Sequence, residues 1–202
     1  MKKLLAGVIA LCSITFVSKA QDSGYKPGAE VADFKLKNVD GKMVSLSSVS
    51  DAKGYIVIFT CNHCPYAKAY EDRIIALHNK YASQGYPVIA INSNDPKVAP
   101  DDSYNKMKER AKEKQFPFVY LYDEKQDIAK RFGAVRTPHV YLVQNTGGQK
   151  VVRYVGAIDN NWEDAAAADQ PYVAQAIDEL NAGKPLATQE TKAIGCTIKW
   201  KK

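Results

Sequence analysis

Cys61 and Cys64 stand two residues apart, with Asn62 and His63 between them. One helical turn at this spacing brings two sulfurs together, and neighbouring thiols form, break and exchange disulfides. In that chemistry Cys61 attacks a disulfide and Cys64 resolves the mixed disulfide. The other chemistry open to Cys-x-x-Cys is half of a zinc site. A structural zinc takes four ligands, and the chain has neither a second such pair nor a paired histidine. His63 brings a second positive charge toward the Cys61 thiolate, or else faces solvent. Further along lies Arg136-Thr137-Pro138-His139. A proline opening a strand is either an ordinary trans residue or a cis one in a tight turn. The cis form would leave the Thr137 backbone free to pair with an extended substrate. His139 is a site candidate if it faces the cysteines, and Arg136 if it supports a thiolate; packing and surface exposure are their plainer readings.

These groups need elements to hold them. The run 55–59 is continuously apolar and β-branched, which suits a strand buried on both faces. Over 65–83, Ala67, Tyr70, Ile74, Leu77 and Tyr81 recur at helical spacing. The cysteine pair therefore sits where a buried strand ends and a helix begins. A helix N-terminus carries unpaired N–H groups and about half a positive charge, which favours a thiolate there. On this basis Cys61 is expected to be the more exposed thiol with the lower pKa, and Cys64 the buried one.

Other elements follow by pattern. A hairpin is expected over 31–46 and a strand over 88–91. A helix capped by Asp101, Asp102 and Ser103 runs to about 115, its charge run read as a solvated face. Next come a strand at 118–122 and a short helix at 125–132. A hairpin follows around Gly147-Gly148, and the last helix spans 171–181. Alternation of strands and helices predicts an α/β fold with a mainly parallel central sheet. Helices cover both faces, and antiparallel strands close one edge.

The chain has 202 residues, 46% apolar and 25% charged, enough for one cored domain. Lys+Arg exceeds Asp+Glu by 28 to 22. The first twenty residues hold Lys2, Lys3 and Lys19, so the excess without them is three, no nucleic-acid footprint. Lys2-Lys3, an apolar stretch over 4–17 and Ser18-Lys19-Ala20 read as a secretory signal. An uncleaved anchor is the alternative. The expectation is export to a periplasmic or extracellular compartment, with no membrane span after signal removal. The domain covers 21–185, and a tail at 186–202 packs on it. Of four cysteines, Cys12 leaves with the signal, so Cys196 is odd beside the pair. Ile194, Cys196, Ile198 and Trp200 alternate with polar or small residues, the signature of a half-buried strand. An exposed thiol in an oxidising compartment would pair with other molecules. Cys196 is thus expected to be sheltered, either as a buried structural thiol, the plainer reading, or beside Cys61 and Cys64 as a third redox or ligand group.

The strand-Cys-x-x-Cys-helix unit and the later Thr137-Pro138 before a hairpin resemble the thioredoxin superfamily. Gly28-Ala29-Glu30-Val31-Ala32-Asp33-Phe34 and the Asp40-Gly41-Lys42 turn are similar to the opening of its redoxin branch. That branch holds the alkyl hydroperoxide reductase/thiol-specific antioxidant proteins and the cytochrome-maturation thioredoxins. The resemblance covers about residues 26–180. It implies a thioredoxin-like fold, Cys61 as attacking thiol, Cys64 as resolving thiol and Pro138 as a cis-proline, with Thr137, Asn62 and His63 in support. Thr60 stands where a Trp commonly precedes the first Cys. Ala67 stands where cytochrome-maturation thioredoxins often carry a Glu, leaving Glu71 as a substitute proton acceptor. Peroxidatic cysteines follow a Thr by three residues, whereas Thr60 directly precedes Cys61. The expected function is an exported thiol–disulfide oxidoreductase acting on client thiols and disulfides with an external redox partner, without cofactor. The alternatives are a thiol peroxidase with antioxidant activity, and a soft-metal (copper) protein using Cys61 and Cys64 with His63, His139 or Cys196.

Overall fold

The apolar runs at 55–59 and 88–91 each become a strand buried on both faces, and the sheet is laid out around them. The computed structural model describes residues 24–49 and 52–202, so the segment read as an export signal, 1–20, lies outside the described residues. In chain order the elements are β1 (Lys35–Asn38), β2 (Met43–Ser45), β3 (Gly54–Phe59), α1 (Pro65–Tyr81), β4 (Val88–Asn92), α2 (Tyr104–Glu113) and β5 (Val119–Tyr122). They continue with α3 (Asp127–Phe132), β6 (Arg136–Thr137), β7 (His139–Thr146), β8 (Gln149–Gly156), α4 (Tyr172–Asn181) and β9 (Cys196–Thr197).

Seven strands form one sheet in the order β2-β1-β5-β4-β3-β7-β8, and β6 pairs with β9 apart from it. The parallel pairings are β3 with β4 and β4 with β5. The N-terminal hairpin and the closing β7–β8 hairpin flank this parallel centre in antiparallel fashion. Side chains alternate across the pleat. Ile56, Ile58, Val88 and Ala90 face α1, α2 and α4, whereas Val57, Phe59, Ile89 and Ile91 face α3. Helices therefore cover both faces. Among the described residues no helix is long and apolar enough to cross a membrane.

The helical spacing of α1 reads out as expected: Ala67, Tyr70, Ile74, Leu77 and Tyr81 are all buried. Glu71 is buried beside them, and its two oxygens accept from Arg110 Nε and Nη2 at 2.7 and 2.6 Å. Most of the α2 charge run is exposed, but Arg110 departs from a purely solvated face because Glu71 requires a partner out of water.

The tail keeps only part of its expected strand. Thr137 pairs with Cys196 and Arg136 with Thr197. Cys196 is half-buried and Ile198 is in the core, but Ile194 is 46% exposed against the alternation. β6 has only two residues before Pro138. Beyond β9 the chain is drawn aside, with Asp95 N donating to Lys199 O and Lys199 N to Asn94 Oδ1, both at 2.8 Å.

Candidate active site

β3 ends at Phe59 and α1 begins at Pro65, so the whole Cys-x-x-Cys lies in the turn between them. Proline suits the first helical position: its φ is already helical, and the N–H it lacks would have no partner there. Cys64 is the residue capping the helix, with no side-chain cap bond. This arrangement aims the His63 and Cys64 amides at the Cys61 sulfur. The Thr137–Pro138 bond is cis, as the resemblance implied. Thr137 meets both cysteines: its hydroxyl shares a 3.3 Å hydrogen bond with Cys61 Sγ, and its carbonyl oxygen lies 3.3 Å from Cys64 Sγ. Cys61, Cys64 and Ala67 form a buried cluster against which Tyr66 and Cys196 pack.

Two expectations are corrected here. Cys196 is not a structural thiol under the tail. It is joined to Cys64 across 132 residues, with Cα atoms 6.1 Å apart, inside the range disulfides use, and among the described residues Cys61 is the free thiol. Nor is Cys61 the exposed, low-pKa thiol. It is 3% exposed, and burial, joined by the Asp102 carboxylate, pushes its thiol up to about 11. The Thr137 hydroxyl and the Cys64 and His63 amides pull the other way, but they do not outweigh the loss of water around a thiolate.

Asp102 is the site residue that sequence reasoning missed. Its position beside Ser103 before α2 reads as a helix cap. Instead Pro100–Asp102 forms a 3₁₀ turn, Ser103 makes no side-chain cap bond, and the fully buried Asp102 carboxylate turns toward the cysteines. It accepts from Asn62 N at 2.7 Å, His63 N at 3.3 Å and Asn94 Nδ2 at 2.6 Å, and pairs with His63 Nδ1 at 2.5 Å. One ligand atom each of Cys61, His63 and Asp102 lie within 4.8 Å of one another. Asn62 is held further by its Nδ2 donating to Asp101 O and by Tyr120 Oη donating to its Oδ1. Both residues between the cysteines are thus fixed by groups from the turn before α2 and from β5.

The other candidates are placed differently. Arg136 Nη1 donates to Gly195 O at 3.3 Å and so holds the tail. Glu71 lines a small cavity that Cys61 also lines, but both of its oxygens serve Arg110. Trp162, in a segment whose sequence said little, lies on Tyr66 with ring centroids 4.2 Å apart, at the border of the cysteine cluster. His139 is buried beside Tyr141, and among the described residues its Nδ1 has no hydrogen-bond partner.

Burial lowers the His139 pKa from 6.5 to about 4. The unfolded chain therefore takes up this proton first. The group's contribution to stability is complete above the unfolded value and is lost as pH falls toward 4, about 3 kcal/mol over that window. His139→Leu is expected to flatten the dependence of the urea midpoint on pH between 6.5 and 4. An unchanged slope would assign the acid sensitivity to other groups.

The sequence pattern of the AhpC/TSA family matches residues 27–155. A solved structure of an uncharacterized conserved protein from Geobacillus kaustophilus is 35% identical, with a TM-score of 0.80 over 88% of this chain and 93% of that one. A hypothetical protein from Sinorhizobium meliloti 1021 is 29% identical, with a TM-score of 0.81 over 91% of this chain and 99% of that one. Among curated proteins, the thiol-disulfide oxidoreductase ResA of Halalkalibacterium halodurans is 27% identical over 97 residues, 47% of this chain. That match spans 54%, about half, of the relative's length. The thioredoxin-like fold is shared with more distant solved structures.

Proposed function

Because the chain belongs to the AhpC/TSA family, we propose that it is a thiol–disulfide oxidoreductase in which Cys61 attacks and Cys64 resolves. The observation that carries this reading is the position of both cysteines at the start of α1, against the cis Thr137–Pro138 bond. The nucleophile has amides and a hydroxyl around its sulfur, and the resolving residue belongs to the same buried cluster. The similarity to ResA supports the same chemistry. The substrates are disulfides and thiols of client proteins, and an external thiol system exchanges electrons with the pair. The leader-like residues 1–20 support export to an oxidising compartment, where N-terminal sequencing of the mature protein is expected to begin near Gln21.

Turnover of insulin disulfides with dithiothreitol tests the activity. The protein is expected to accelerate reduction well above the dithiothreitol background. Consumption of hydroperoxide without disulfide exchange would replace this reading with a thiol peroxidase. A soft-metal reading is favoured by one observation, the close approach of Cys61, His63 and Asp102. Metal analysis of the reduced, purified protein decides it: one equivalent of tightly held copper would support that reading, and metal-free protein that turns over insulin would remove it.

A further inference from the structure

Cys64 shares one buried cluster with Cys61, Cys196 packs against it, and the sulfur it is bonded to is not its motif partner's. The tail that brings Cys196 is built to arrive there. β9 pairs antiparallel with β6 at Thr137, the residue before the cis-proline, which is the edge an extended client would use. Residue 195 has to be glycine for this approach, since a Cβ there would run into the Thr137 carbonyl. Arg136 holds the Gly195 carbonyl. Beyond β9, Ile198 is buried, and Gln126 ties the tail at both ends of its amide: Nε2 donates to Lys199 O, and Lys201 N donates to Oε1. Asn94 links the tail to the motif, accepting from Lys199 N and donating to Asp102, the carboxylate paired with His63. Cys61 and Cys64 are buried, whereas Cys196 is half-buried.

We propose that Cys196 is a third redox cysteine and that the tail acts as an internal substrate, passing the disulfide out of the motif. The proposal rests on the thiol–disulfide reading above. After Cys61 and Cys64 have reduced a client disulfide, they are joined to each other. The Cys196 thiolate then attacks Cys64 Sγ. The Cys64–Cys196 bond forms, the Cys61–Cys64 bond breaks, and Cys61 leaves as a thiolate that takes up the proton Cys196 gave up. No electrons are gained or lost in this exchange. It restores the Cys61 thiol and moves the disulfide to the half-buried sulfur. An external dithiol then attacks Cys196, displaces Cys64 and closes its own disulfide, returning two electrons and two protons to the protein.

The test follows one turnover in the unaltered protein. Fully reduced protein is mixed with a small disulfide, acid-quenched at intervals, and its disulfides are mapped by mass spectrometry. Cys61–Cys64 is expected to appear first and to decay as Cys64–Cys196 accumulates, ending with Cys61 free. A Cys61–Cys64 bond that persists with Cys196 free would overturn the relay while leaving the exchange activity standing. Failure of the protein to reduce the small disulfide at all would refute the activity itself and the relay with it. As a second arm, Cys196→Ser is expected to retain the first turnover and to stop at Cys61–Cys64. Its steady-state turnover with dithiol should fall about tenfold, because the acceptor sulfur is then buried. Unaltered steady-state turnover in a folded Cys196→Ser protein would reduce Cys196 to a staple.

Discussion

Cys61→Ser is expected to lower disulfide exchange by about 10³-fold or more while leaving the fold intact. A serine hydroxyl occupies the place of the thiol but cannot form the mixed disulfide. The Cys61 sulfur bonds to the Thr137 hydroxyl and to the His63 and Cys64 amides, all partners a hydroxyl can also serve. The Cys64–Cys196 bond does not involve it. Stability should therefore change by no more than about 1 kcal/mol, and the two readouts separate chemistry from folding. Insulin turnover and urea unfolding on the same preparation check this. A variant retaining a tenth or more of the activity would mean that Cys64 and Cys196 carry the exchange without Cys61.

Asp102→Asn is expected to act in the opposite direction on reactivity. The carboxylate faces the Cys61 sulfur within 4.8 Å and opposes its ionisation. Removing that charge should bring the Cys61 pKa down from about 11. A fall of about one unit raises the thiolate fraction at pH 7 about tenfold. The cost falls on the fold. The two oxygens of Asp102 meet donors from Asn62, His63 and Asn94, and an asparagine amide turns an N–H toward one of them. Stability is expected to drop by about 1–3 kcal/mol. The pH profile of alkylation, with adducts mapped to Cys61 in the oxidised protein, reads the pKa directly. A pKa that stays put or rises would show that Asp102 does not set this thiol's charge.

Much of this site was visible in the sequence because its chemistry is local. Cys61 and Cys64 are two residues apart, the strand before them is uniformly apolar, and the helix after them has a clean 3–4 spacing. The redoxin resemblance added the cis bond at Pro138 and the sheet that brings Thr137 to the cysteines. Asp102 was hidden by its neighbours. An acid before a helix satisfies the same local rule whether it caps that helix or turns away, and only the return of β4 beside β3 decides which. The partner of Cys196 was hidden by distance. Alternation over 194–201 could report which side of a strand the sulfur took, but not that the strand would lie on β6 opposite Thr137. The two-residue length of that pairing left no longer pattern to read. For His139 the position after Pro138 left two readings open, a site role and the plainer one of packing, and in the fold it is buried beside Tyr141.

The central claim is that Cys61 is the sulfur that meets an external disulfide and Cys64 the one that resolves it. Its most direct test uses the Cys64→Ser, Cys196→Ser double variant, which leaves Cys61 as the only cysteine after residue 20. Mixed with a small disulfide, this protein is expected to accumulate one stable mixed disulfide per chain at Cys61, released only when a dithiol is added. Absence of that adduct under conditions where the unaltered protein reduces the same disulfide would contradict the account.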